Sequence, residues 1–184
     1  GMNPSSNLFL IGPMGAGKTS IGRRLAPRFG LGFVDLDHEI EATTGADIAL
    51  IFEHEGEAGF RQRERRQLAQ CSAMHGIVLA TGGGIVLDAG NRELLSTRGF
   101  VVYLDIDVDR QLARLRRDRS RPLLAAADRR QRLEAIAAER NPLYAATADL
   151  RIAGTRAPLR RAVVEIARCI EAEWQRAPVS GVSA

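Results

Sequence analysis

Gly12-Pro13-Met14-Gly15-Ala16-Gly17-Lys18-Thr19 meets every fixed position of the pattern G-x-x-x-x-G-K-[ST]. Ahead of it runs Leu8-Phe9-Leu10-Ile11, apolar throughout, which reads as a buried strand. Behind it Ile21, Leu25 and Phe29 recur at helical spacing. Strand, glycine-rich loop and helix in that order make a phosphate-binding loop. Glycines let backbone N–H groups crowd around a phosphate with no Cβ in the way, and the helix N-terminus adds unpaired donors and a partial positive charge. In such a loop Gly15, Ala16, Gly17 and Ser20 cradle the nucleotide. Lys18 reaches the β- and γ-phosphates, and the Thr19 hydroxyl ligates Mg²⁺.

A glycine-rich turn carrying a surface lysine is the plainer alternative, and composition argues against it. Lysine and arginine together number 26, and Lys18 is the single lysine. A chain that uses arginine at its other cationic positions keeps lysine where the motif demands it. With 184 residues, 45% hydrophobic and 26% charged, the chain has the size and make-up of one globular domain. We expect a single P-loop domain over 1–177 and a small, polar, disordered tail over 178–184.

The net charge of +4 and the isoelectric point near 9.8 fit a site for a polyanionic nucleotide and an anionic substrate as well as they fit nucleic acid. Cys71 and Cys169 lie far apart with no C-x-x-C, so neither a disulfide framework nor a zinc site follows, and a reducing cytoplasm fits. No apolar run reaches the ~18 residues of a transmembrane helix. The N-terminus lacks the basic-then-apolar pattern of a signal peptide, and Gly1 ahead of Met2 reads as a remnant of expression.

Along the chain the pattern predicts strands at 7–11, 33–35, 77–80, 100–104 and, weakly, 150–152. It predicts helices at about 17–29, 37–44, 47–74 (broken near Gly56 and Gly59), 88–97, 107–118, 128–144 and 158–174. Strands alternate with helices, and four of the five strands are continuous apolar runs. The expected architecture is α/β: three αβα layers around a five-stranded parallel sheet. Ligands then collect at the carboxyl ends of the strands, where the phosphate loop, Asp35, Asp37 and Gly82–Gly84 all fall.

Each of these segments has two readings. Asp35 and Asp37 are a helix cap with a solvated acid, or an acid placed for Mg²⁺ beside one that accepts a hydrogen bond from a substrate hydroxyl. Within Gly56-Glu57-Ala58-Gly59-Phe60-Arg61-Gln62-Arg63-Glu64, two glycines in a helical pattern cost about 1 kcal/mol each relative to alanine. They point to a bend that aims Arg61, with Glu57 or Glu64 to orient its guanidinium; an exposed charged helix is the alternative. Thr81-Gly82-Gly83-Gly84 permits close backbone approach to a ligand, or makes a flexible turn.

The basic run Arg114–Arg121, ending in Arg121-Pro122-Leu123-Leu124, lacks the interleaved aromatics that base stacking uses. In a phosphotransferase it reads as a lid over about 114–124, whose arginine answers charge on the transferring phosphoryl group. Asp105, Asp107 and Asp109 resemble a Ca²⁺ loop but lack the glycine at its sixth position and the glutamate at its twelfth. His38, His54 and His75 show no metal-ligand spacing, and Trp174 reads as packing.

Taken in order, these motifs resemble the shikimate kinase family, within the nucleoside-monophosphate-kinase-like group of P-loop enzymes. The resemblance runs from about Leu8 to Trp174 and rests on 12–19, Asp35-Leu36-Asp37, Phe60-Arg61, Gly82–Gly84, Arg121-Pro122-Leu123-Leu124 and Arg140-Asn141-Pro142-Leu143-Tyr144. It implies transfer of the ATP γ-phosphoryl to the 3-hydroxyl of shikimate, with ATP and Mg²⁺ as cofactors, by a cytoplasmic monomer that binds neither nucleic acid nor membrane. By the same resemblance Thr19 and Asp35 serve Mg²⁺. Asp37, Arg61, Gly83 and Arg140 hold shikimate, and Phe52 and Phe60 wall its ring. Lys18, Asp37 and Arg121 carry the chemistry, with Arg121 the lid arginine on ATP, and Arg156 meets the adenine.

The rivals are another small-molecule kinase, such as a gluconate or nucleotide kinase, and a nucleotide-dependent regulator on the same fold. A neutral or phosphorylated acceptor would not require Arg61 and Arg140 in the same form. A regulator would carry a DNA-binding segment, for which no room is expected before Leu8.

Overall fold

The computed structural model describes residues 5–117 and 126–175. Arg121, most of the expected lid and the 178–184 tail lie outside the described residues. Strands β1 (Leu8–Ile11), β3 (Ile77–Ala80) and β4 (Phe100–Leu104) are buried at every position, as continuous apolar sequences require in a parallel sheet covered on both faces. β2 (Gly32–Asp35) and β5 (Leu150–Ile152) are the edges of the sheet, which runs β2-β3-β1-β4-β5 with every pairing parallel. Edge position explains why β2 is exposed at Gly32 and only half-buried beyond it.

Alternation along the strands splits the core in two. Leu8, Leu10, Val78 and Val102 point to one face, which α1 (Lys18–Phe29) and α7 (Leu159–Glu173) cover with Ile21, Leu25, Val163, Ile166 and Ile170. Phe9, Ile11, Leu79, Val101 and Tyr103 point to the other, covered by α2 (Leu36–Thr44), α3 (Ile48–Ser72), α4 (Ala89–Arg98) and α6 (Ala126–Thr147). Helix α5 (Val108–Arg117) packs on α6 through Leu112, Leu115 and Leu133. The three αβα layers are those the strand–helix alternation predicts.

The differences are local. Helix α2 starts at Leu36 rather than Asp37, because Asp35 is its cap: the carboxylate accepts from the His38 N–H at 3.1 Å. In α3 only Gly56 leaves helical geometry, at φ 70° and ψ −175°, a region open essentially to glycine alone. Gly59 stays helical. It is glycine for want of space, since a Cβ there would lie 2.4 Å from the Glu55 Cβ that the kink folds back over it. A 3₁₀ turn at Ile85–Leu87, absent from the sequence reading, follows the glycine loop. Helix α6 is longer than expected at both ends and accommodates Pro142 inside it.

Candidate active site

All five strands end on one side, so the loops that follow them meet there. The phosphate loop after β1 takes its shape from glycine. Gly12 sits at φ 145°, where a Cβ would collide with the Leu104 carbonyl oxygen at 2.3 Å, and Gly17 caps α1 at φ 87°. The buried Lys18 ammonium turns back over the loop and donates to the carbonyls of Gly12 and, at 3.1 Å, Pro13. Two side chains of α5 clasp the same loop from above: Gln111 donates to the Met14 carbonyl at 2.8 Å, and Arg114 donates to that of Gly15. Thr19 donates its hydroxyl to Asp35 at 2.8 Å, joining the start of α1 to the end of β2.

A cavity of about 410 Å³ opens beside the loop. Lys18, Thr19, Asp37, Arg61, Arg140 and Gly82–Gly84 line it, with Phe52 and Phe60 as an apolar wall. The two rings stack with centroids 4.7 Å apart, and the Arg61 guanidinium lies over the Phe60 ring at 5.2 Å. Of the two carboxylates that sequence offered to orient Arg61, Glu64 does so at 2.9 Å. Glu57 stands 3.6 Å away and is mostly exposed.

Glu64 is 1% exposed, and burial pushes its carboxyl above the ordinary glutamate range. Arg61 opposes that shift by charge and hydrogen bond, Asp37 adds to it, and Arg140 opposes it. Arg140 itself enters no ion pair among the described residues. The cavity thus holds one guanidinium tied to a buried carboxylate and one without such a tie.

Gly82, Gly83 and Gly84 have ordinary negative φ, so backbone freedom is not why they are glycine. Space is. A Cβ on Gly84 would lie 2.3–2.5 Å from the Arg61 guanidinium, one on Gly83 3.4 Å from Arg140 Nη1, and one on Gly82 3.3 Å from Asp37 Oδ1. The loop is thin so that three polar side chains can lie against it.

A second cavity, of about 270 Å³, lies on the β4–β5 side. Ala16, Gly17 and Ser20 line both cavities. Arg110 and Arg114 of α5 and the Ile152–Thr155 segment complete this one. Thr155 and Ala157 line it, and Arg156 between them is exposed and is not part of the lining.

A phosphate loop between two cavities, with a pair of arginines and an aspartate in one of them, limits the possible relatives, and comparison with known proteins agrees. The family model for shikimate kinase matches residues 14–171. The shikimate kinase of Stenotrophomonas maltophilia (strain K279a) is 53% identical over 175 residues, spanning 95% of this chain and 97% of its own length. That of Xanthomonas campestris pv. campestris (strain 8004) is 50% identical over 174 residues, spanning 95% and 97%. The chain belongs to the shikimate kinase family.

Among solved shikimate kinases, the one from Acinetobacter baumannii in complex with shikimate superposes with a TM-score of 0.84 at 46% identity, over 90% of this chain and 93% of that one. The enzyme from Aquifex aeolicus gives 0.77 at 32% identity, over 90% and 96%. As a shikimate kinase the chain is an ATP-dependent kinase with the α/β fold of that family. Its motifs named most of the cavity wall in advance. They missed Gln111, whose clasp on Met14 has no sequence signature. They also missed Tyr144 as more than a motif position: its phenol donates to the Gly83 carbonyl. Of the Asp105–Asp109 run, Asp107 caps α5, its carboxylate accepting from the Arg110 N–H at 2.8 Å.

Proposed function

We propose that this enzyme transfers the γ-phosphoryl group of ATP to the 3-hydroxyl of shikimate, giving shikimate 3-phosphate and ADP. The observation that carries the reading is the pairing of Arg61 and Arg140 around Gly83–Gly84 in a cavity that also holds Asp37 and Lys18. Two guanidiniums match a carboxylate in a way that a lone lysine cannot. Asp37 is the acid available to orient an acceptor hydroxyl and take its proton. Lys18 is placed to answer phosphate charge.

The oxygens of Thr19 and Asp35, 2.8 Å apart at the rim, are the hard donors that Mg²⁺ prefers, and they would hold it either directly or through water. A metal bound there supplies charge neutralisation at the β- and γ-phosphate oxygens. Nucleoside binding falls to the second cavity, and the family resemblance gives Arg121, outside the described residues, the role of answering charge on the transferring phosphoryl group. Transfer itself is mostly positioning and charge stabilisation. In this reading the enzyme works as a cytoplasmic monomer on small molecules; no helix among the described residues is long and apolar enough to cross a membrane.

A coupled assay with ATP, Mg²⁺ and shikimate tests the proposal against its rivals. We expect turnover with shikimate and none with gluconate or nucleoside monophosphates. Preference for either of those acceptors would overturn it.

A further inference from the structure

The glycine loop has no side chains of its own to hold it, so its carbonyls show what does. The Gly82 carbonyl accepts from the Ile85 N–H at 3.2 Å and the Gly84 carbonyl from the Leu87 N–H at 3.1 Å, both within the local 3₁₀ turn. The Gly83 carbonyl has a distant partner, the phenol of Tyr144, 61 residues on. Tyr144 is fully buried, and its ring packs against Tyr103 at 5.1 Å between centroids, so the hydroxyl is fixed in place. Burial pushes the phenol up to about 12, which keeps it a donor at neutral pH.

Tyr144 also lies one helical turn beyond Arg140, on the same face of α6. The Arg140 guanidinium sits close enough to the phenol to oppose that rise. A Cβ built on Gly83 would meet both, Arg140 Nη1 at 3.4 Å and the Tyr144 hydroxyl at 3.7 Å.

We propose that Tyr144 is a positioning residue for the acceptor, its hydroxyl setting the Gly83 peptide and bracing Arg140 against it. The argument rests on the acceptor assignment made above. A trans peptide carries its C=O and the following N–H on opposite sides, so holding the Gly83 carbonyl also fixes where the Gly84 N–H points. Without the phenol the loop would keep its turn and lose its orientation, while the nucleoside cavity, on the other side of β1, would be untouched.

Tyr144→Phe keeps the buried ring and removes only the donor. We expect the shikimate KM to rise about 3- to 10-fold, as loss of one net hydrogen bond implies, with the ATP KM within twofold. In the ligand-free enzyme, amide deuterium uptake over 82–87 should accelerate. The exchange measurement needs no substrate, so it separates failure of this idea from failure of the shikimate assignment. Unchanged exchange would overturn the proposal. So would faster exchange with an unmoved shikimate KM, which would make the bond structural only, or equal shifts in both KM values, which would mean general distortion.

Discussion

Arg140→Ala and Arg61→Ala should fail in different ways, because only one of these arginines has a carboxylate of its own. Both line the acceptor cavity, but Arg61 is tied to the buried Glu64 at 2.9 Å, and Arg140 enters no ion pair among the described residues. Removing Arg140 leaves an acceptor carboxylate under-paired in a partly desolvated cavity. That costs on the order of 2–5 kcal/mol, roughly 30- to several-thousand-fold in kcat/KM. Protein stability should hardly change, since no protein charge is orphaned.

Removing Arg61 incurs a similar kinetic loss and also strands Glu64 in the interior, which costs about 1–3 kcal/mol of folding free energy and several degrees in Tm. Steady-state kinetics and thermal unfolding of both variants read the contrast. A shikimate analogue bearing a neutral carboxamide supplies the control: it should bind the parent poorly and lose little more on Arg140→Ala. If acid and amide suffer equally from that substitution, Arg140 does not read a carboxylate and the acceptor assignment loses its physical basis.

Gly84→Ala places a methyl group 2.3–2.5 Å from the Arg61 guanidinium, the far end of a flexible side chain. The fold should survive and Arg61 should move, raising the shikimate KM about 10- to 100-fold with the ATP KM little changed; equal effects on the two would refute the spatial reason for that glycine. Lys18→Met should abolish turnover with the fold intact, and activity within a few-fold of the parent would exclude the phosphate-loop role. Glu64→Gln tests the raised carboxyl pKa. A group whose pKa is higher folded than unfolded adds stability below its unfolded value, near 4.5, and loses it as pH rises through the folded value. The stability of the parent relative to Glu64→Gln, from denaturant midpoints between pH 4.5 and 8, should therefore fall as pH rises; a gap that does not change with pH would mean that Glu64 is not held against its charge.

The layers were legible because their causes are local in sequence. Leu8–Ile11, Ile77–Ala80 and Phe100–Leu104 are continuous apolar runs, and a strand buried on both faces leaves that trace. The phosphate loop was legible because its backbone geometry demands glycine and its ligand's charge demands lysine, both at fixed spacing. What stayed hidden was which neighbour answers which. Glu57 and Glu64 are equally good partners for Arg61 by spacing. Burial chooses between them, at 65% exposed against 1%, and burial depends on how α3 lies on α2 and the sheet. The glycine triplet offered close approach to a ligand or a flexible turn, and sequence could not show that Arg61, Arg140 and Asp37, from three separate helices, lie against it. Gly56 and Gly59 looked alike in sequence, yet one is required by its φ and ψ and the other by the Glu55 side chain folded over it.

The strand order accounts for why one loop can serve two cavities. With β1 at the centre, between β3 and β4, the loops after β2 and β3 fall on one side of the phosphate loop and those after β4 and β5 on the other. The first side supplies Asp37 and the glycine triplet. The second supplies the Ile152–Thr155 segment, with Arg110 and Arg114 from the helix after β4. Ala16, Gly17 and Ser20 are common to both walls, so under the proposed function a phosphoryl group held by the loop would lie at the boundary between donor and acceptor. Transfer then requires little travel, and the protein's task reduces to aiming the two partners at that boundary. On the acceptor side that aiming would fall to Arg61, held by Glu64, and to Gly83, held by Tyr144, both fixed from the buried core rather than from the surface. That is where substitutions remote from the phosphates should alter acceptor recognition without altering use of ATP.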